Sequence, residues 1–91
     1  MPFQINYSER YKKREQKFFR KHHDLLSKYE KTLRLLEANP FHPSLRLHKL
    51  SGNLEELHSV SLDMQYRITM EFYIEEEKIV PVHIGTHDEV Y

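Results

Sequence analysis

The chain has 91 residues, no cysteine and a formal net charge of zero, which leaves room for one domain with a modest core and excludes disulfides and thiolate metal sites. The charge is unevenly placed: residues 1–50 carry 12 Lys+Arg against 5 Asp+Glu, and residues 51–91 carry 2 against 9. A neutral total argues against non-specific nucleic-acid binding by the whole surface, while the cationic first half offers a face to a polyanion or an acidic partner.

Phe3-Gln4-Ile5-Asn6-Tyr7 alternates apolar and polar side chains, the period of a short strand. Ser8 follows as an N-cap with Glu9 in the first turn, and the spacing predicts a helix to about Lys21 that buries Tyr11, Phe18 and Phe19. A second helix is expected from His23 or Asp24 to near Asn39, with Leu25, Leu26, Tyr29, Leu33 and Leu36 as its apolar stripe. So short a join makes the two helices an antiparallel hairpin. Pro40 and Pro43 mark a connection, and Gly52-Asn53 a turn.

From there the period becomes two. Val60 and Leu62 alternate with Ser59, Ser61 and Asp63. Tyr66, Ile68, Met70, Phe72 and Ile74 alternate with Arg67, Thr69, Glu71 and Tyr73. Glu75-Glu76-Glu77 reads as a hairpin loop, after which Val80, Val82 and Ile84 alternate with Pro81 and His83. The expectation is an antiparallel three-stranded meander, with Pro81 at an unpaired edge or an irregularity. The fold class is therefore α+β in two layers: strand, helix hairpin, then three strands. The sheet face opposite the helices collects Ser59, Ser61, Arg67, Thr69, Glu71, Tyr73 and His83, and His58 points to the apolar side. No apolar run reaches membrane length and MPFQINYSER lacks the core of a signal peptide, so the expected location is cytoplasmic, with no membrane partner.

Seven histidines stand in the chain, and histidine is the side chain that moves protons near neutral pH. With two glycines, 52 and 85, a glycine-rich phosphate loop is excluded. His83 and His87 have an H-x3-H spacing without a clear third and fourth ligand, so no metal and no cofactor are expected.

Three segments carry a family resemblance. Gly85-Thr86-His87-Asp88-Glu89-Val90-Tyr91 resembles the C-terminal signature of YafQ-like toxins of the RelE/ParE superfamily. His48-Lys49-Leu50-Ser51-Gly52 resembles their H-x-L-x-G turn, and Tyr66-Arg67-Ile68 their YRI strand entry. The three occur in the family's order behind a two-helix hairpin, so the resemblance spans residues 1–91 as one RelE-like domain. It implies the toxin of a type II toxin–antitoxin system that cleaves mRNA in the ribosomal A site, using the RNA's own 2′-hydroxyl. Such a reaction needs a base, positive charge at phosphorus and an acid for the departing 5′-oxygen.

By that resemblance His87 is the general acid, His48 the base or its helper, and Arg67 the phosphate-holding cation. Tyr91 is a terminal aromatic that stacks on a base or positions the phosphate. Ser61 stands where YafQ-like toxins have a further histidine and Gln65 where they have an aspartate; Asp63 takes the aspartate's role if the loop register shifts by two. The implied partners are a cognate antitoxin, the ribosome and mRNA. The same superfamily contains ParE-like inhibitors of DNA gyrase and leaves room for inactive members that only bind an antitoxin, and these stand as the alternatives. Under each, the cationic helix hairpin around Lys12 and Lys13 is a docking surface for an acidic antitoxin segment.

Overall fold

A computed structural model describes residues 2–50 and 57–86. Strand β1 spans Gln4–Ile5, helix α1 Glu9–Lys21 and helix α2 Leu26–Ala38, followed by strands β2 (His48–Lys49), β3 (Leu57–Ser61), β4 (Tyr66–Tyr73) and β5 (Lys78–Thr86). Short 3-10 turns at His23–Leu25 and Pro43–Leu45 join the helices to each other and to β2. The five strands form one sheet in the order β1-β5-β4-β3-β2. β1 runs parallel to β5, and the other neighbours are antiparallel. The expected α+β architecture is what forms, with a helix hairpin over one face of the sheet.

Local chemistry explains the helix ends. The Ser8 hydroxyl accepts the Tyr11 N–H at 3.1 Å, and Arg20 and Lys21 sit in the last turn of α1, where the helix dipole favours cations. α1 stops at His22, whose N–H still bonds the Phe18 carbonyl at 3.0 Å. α2 starts later than its apolar pattern suggests, because Leu25 closes a 3-10 turn first. Leu26 is consequently 43% exposed, and Thr32 joins Tyr29 and Leu36 on the buried side.

The core lies between the helices and the sheet, built from Tyr11, Tyr29 and Leu36 above and Val60, Ile68, Met70, Phe72 and Ile79 below. A buried polar contact locks the hairpin within it. Tyr11 and Tyr29 join hydroxyls at 2.8 Å, and Tyr29 donates to the Glu15 carboxylate. Since Tyr29 spends its proton on Glu15, Tyr11 is the donor between the two phenols. Burial pushes both phenols well above the usual tyrosine range, so they remain neutral donors at physiological pH.

The sheet departs from the expected meander at both edges. β1 reaches β5 in parallel, pairing Gln4 with Lys78 and Ile5 with Ile79, and Phe3 stacks on Phe72 at 5.5 Å. β2 adds a fourth antiparallel strand of two residues, too short to have a readable period. β4 ends at Tyr73, so Ile74 lies in the turn and is 56% exposed instead of extending the core stripe. The glutamate run forms the hairpin loop as expected, with Glu77 at φ 52° and its N–H on the Ile74 carbonyl at 3.1 Å.

β5 carries a bulge. Thr69 pairs with His83 but the next residue, Met70, pairs with Pro81, leaving Val82 extra. The bulge reverses strand parity. Before it Ile79 and Pro81 face the core and Val80 sits opposite Glu71. After it Ile84 faces the core and His83 sits opposite Thr69. The expected alternation is thus right for His83 and Ile84 and inverted for Val80 and Pro81. Pro81 does mark an irregularity, although in an interior strand. The Arg14 guanidinium on α1 donates to the Val82 carbonyl at 2.7 Å, satisfying the acceptor that the bulge turns out of the ladder. No described helix is long and apolar enough to cross a membrane.

Candidate active site

Register, more than sequence proximity, assembles the polar face. His48 on β2 pairs with Ser59 on β3, Ser59 with Thr69 on β4, and Thr69 with His83 on β5. Side chains of directly paired residues share a face, so these four form a row across four strands on the side away from the helices. The next row holds Ser61, Arg67 and Gly85. Beyond the first row on the other side lie Glu71 and Tyr73, whose hydroxyl donates to Glu71 at 2.8 Å while Lys78 lies 4.9 Å from the centre of the Tyr73 ring.

Ser59 is the joint of this face. Its hydroxyl is fully buried, accepts from the Arg67 guanidinium at 3.1 Å and lies 3.3 Å from His48 Nε2. His48 Nδ1 faces the Arg46 carbonyl at 3.4 Å, an acceptor only. These partners select the tautomer with the proton on Nδ1, leaving a lone pair on Nε2 to receive the Ser59 proton. Arg67 has further N–H groups beyond the one on Ser59. The arrangement therefore holds a histidine lone pair and a guanidinium about one hydroxyl apart, the separation at which a base and an anion clamp can meet one phosphate ester. Thr69, next in the row, has a buried hydroxyl with no hydrogen-bond partner among the described residues.

Of the residues singled out in the sequence, His48 and Arg67 converge through Ser59. Ser61 lies opposite Arg67, but its hydroxyl bonds the Asp63 carbonyl at 3.0 Å. Asp63 is occupied by the turn between β3 and β4: its carboxylate accepts the N–H groups of Gln65 and Tyr66, each at 2.8 Å. The assignments at His87 and Tyr91, and the Gly52 turn, lie outside the described residues. His58 faces the apolar side as its parity implies, edge-on to Phe72 at 5.1 Å. Ser59 stands out in sequence only as one more small polar residue, and nothing short of the strand register would single it out. Among the described residues no three His, Asp or Glu side chains are grouped as metal ligands would be.

The fold recurs in solved bacterial toxins. Alignment with YafQ in the E. coli DinJ–YafQ toxin–antitoxin complex has a TM-score of 0.78 at 19% identity, covering 100% of this chain and 99% of that one. A metal-bound toxin from Helicobacter pylori aligns with a TM-score of 0.69 at 21% identity, over 98% of this chain and 99% of that one. A YoeB/ParE toxin from Agrobacterium tumefaciens aligns with a TM-score of 0.68 at 13% identity, over 93% and 99%. No protein-family model and no curated protein sequence matches the chain. At these identities the likeness is one of fold.

Proposed function

We propose that this chain is the toxin of a type II toxin–antitoxin pair, a YafQ-like member of the RelE/ParE superfamily folded over residues 1–91 as one domain. In this reading it cleaves mRNA on the ribosome by acid–base chemistry that needs no metal. The observation that carries the reading is the His48–Ser59–Arg67 hydrogen-bonded chain on the open face of a sheet whose fold recurs in YafQ.

In the proposed reaction the RNA 2′-hydroxyl displaces the Ser59 hydroxyl from His48 Nε2 and gives that nitrogen its proton as its oxygen bonds to the adjacent phosphorus. Arg67 holds the non-bridging oxygens as negative charge gathers on them. The bond from phosphorus to the 5′-oxygen breaks, and His87 gives that oxygen a proton, leaving a cyclic phosphate. The Arg46 carbonyl keeps His48 in its tautomer through Nδ1, and Ser59 orients Arg67. Asp63 and Ser61 act through the turn they shape, and Tyr91 contributes a stacking surface for a base. YafQ is known in a complex with DinJ; by likeness an antitoxin would cover the open face of this sheet and the cationic hairpin.

The test is induced expression of the wild type beside His48→Ala and His87→Ala, with growth and cleavage of translated mRNA followed together. Growth arrest with cleavage in the wild type, lost in both variants at equal folded yield, is the expected result. Arrest without cleavage, insensitive to both histidines, would move the function to a binding target such as gyrase. A harmless wild type would leave an antitoxin-binding protein without activity.

A further inference from the structure

On the helix side of the sheet, beside β5, α1 leaves a cleft of about 390 Å³. Its rim carries Arg14, Lys17 and Lys21, one turn apart along α1, and its wall is made of Phe18, His22 and Tyr66. The three rings are in mutual contact, with centroids 4.5 Å apart for Phe18 and His22, 4.9 Å for His22 and Tyr66, and 5.2 Å for Phe18 and Tyr66. His22 and Tyr66 are only half-buried, so ring surface is open to a ligand. No described residue lining the cleft is acidic, and among the described residues the ion pair formed on α1 is Lys12 with Glu9, outside it. His83 belongs both to this cleft and to the polar row of the sheet, which joins the two surfaces around the β5 bulge.

We infer that this cleft is a second RNA-binding site, seating an unpaired nucleotide next to the one cut on the open face. The inference rests on the proposed RNA-directed function. Cations with no acidic residue among the described lining would suit any polyanion, including an acidic protein segment. The half-buried rings between them favour a nucleic acid, because a base has a face to stack and a carboxylate has none. A phosphate on Lys17 and Lys21 and a base against His22 and Tyr66 would hold the strand so that it continues past His83 onto the row of Thr69, Ser59 and His48. In a chain with no net charge, such a local concentration of cations is what can make affinity for RNA depend on position as well as on total charge.

The experiment is fluorescence anisotropy of the full chain with a short labelled 2′-O-methyl RNA, which binds but lacks the attacking hydroxyl. Lys17→Glu combined with Lys21→Glu is expected to weaken binding at least about tenfold and to flatten the log–log salt dependence by about 1.4, the share of two phosphates on a single strand. His22→Ala is expected to weaken binding about fivefold with the salt slope unchanged, as for loss of a stacking surface. Lys28→Glu with Lys31→Glu makes the same charge change on exposed positions of α2 and should alter affinity less than about twofold. Equal losses from both charge pairs would overturn the site in favour of net charge alone. Competition by polyglutamate as effective as by RNA would overturn it in favour of an acidic protein segment. Cleavage in cells reads the two ideas apart: binding through the cleft without mRNA cleavage sinks the catalytic reading and keeps the cleft, and cleavage with unaltered binding in the Lys17/Lys21 variant does the reverse.

Discussion

The two faces of one sheet answer to different physics. Toward the helices, Val60, Ile68, Met70 and Ile79 are wholly removed from water, and any apolar side chain of suitable volume would serve there. On the opposite face Ser59 and Thr69 are just as deeply covered yet polar, and they occur between His48, Arg67 and His83. Burial of hydroxyls costs stability unless they are paired. Ser59 is paired twice over, and Thr69 has no partner among the described residues. One face is organised to keep the chain folded, and the other keeps polar atoms in place at some expense to it.

That contrast can be broken by exchanging the effects. Ile68→Ala, on the core face, should lower the unfolding free energy by about 3 kcal/mol through a cavity, read by urea denaturation, and should leave residual cleavage in proportion to folded protein. Arg67→Gln, one residue away on the other face, should do the opposite, with a melting temperature close to wild type and mRNA cleavage reduced about 100-fold. A comparable loss of stability in Arg67→Gln would show that the polar row is structural.

Tyr29→Phe removes the donor to Glu15 and should cost about 1.5 kcal/mol at neutral pH. The same site sets an alkaline limit. The Tyr11 and Tyr29 phenols are held above their ordinary value of 10.0 in the fold. The folded state therefore keeps protons that the unfolded chain releases, and stability should be constant below about pH 10 and fall above it. Tyr29→Phe should make that fall shallower, so an unchanged slope in unfolding experiments across this range would count against the buried pair.

Thr69→Val gives the sharpest contrast for its size. It replaces a hydroxyl lacking a partner among the described residues with a methyl of similar size, so stability should rise by about 1 kcal/mol. If that hydroxyl meets the substrate, cleavage should fall in the same variant. A gain in both would remove Thr69 from the site. The smallest expected effect is at the loop: Glu77→Gly relieves a left-handed residue and should add about 0.5 kcal/mol, measured as a shift in the denaturation midpoint with no change in cleavage.

How far the sequence reaches is clearest in β5. The alternation there is interrupted by Pro81, and that residue signals an irregularity without saying which way the strand turns afterwards. With Val82 inserted, His83 and Ile84 keep the faces the alternation predicts while Val80 and Pro81 exchange theirs, and only pairing with β4 reveals the shift. The same limit hides Ser59. His48 and Arg67 carry chemistry in their side chains and can be picked out one at a time, whereas a serine that joins them matters only through the strands on either side. β1 is legible as a strand, but its parallel partner is more than seventy residues away along the chain.

By itself the sequence determined what is local: the order of strand and helices, the Ser8 cap, the apolar stripe of β4 as far as Phe72 and the glutamate loop, because these depend on side-chain period and on hydrogen bonds within one turn. The tertiary structure alone decided which strands are neighbours, where the bulge reverses the faces, and that His48, Ser59 and Arg67 meet. It also decided that Phe18 and His22 of the helix meet Tyr66 of the sheet. Those are contacts between separate elements, selected by how the whole core closes, and no side-chain period along one element specifies them.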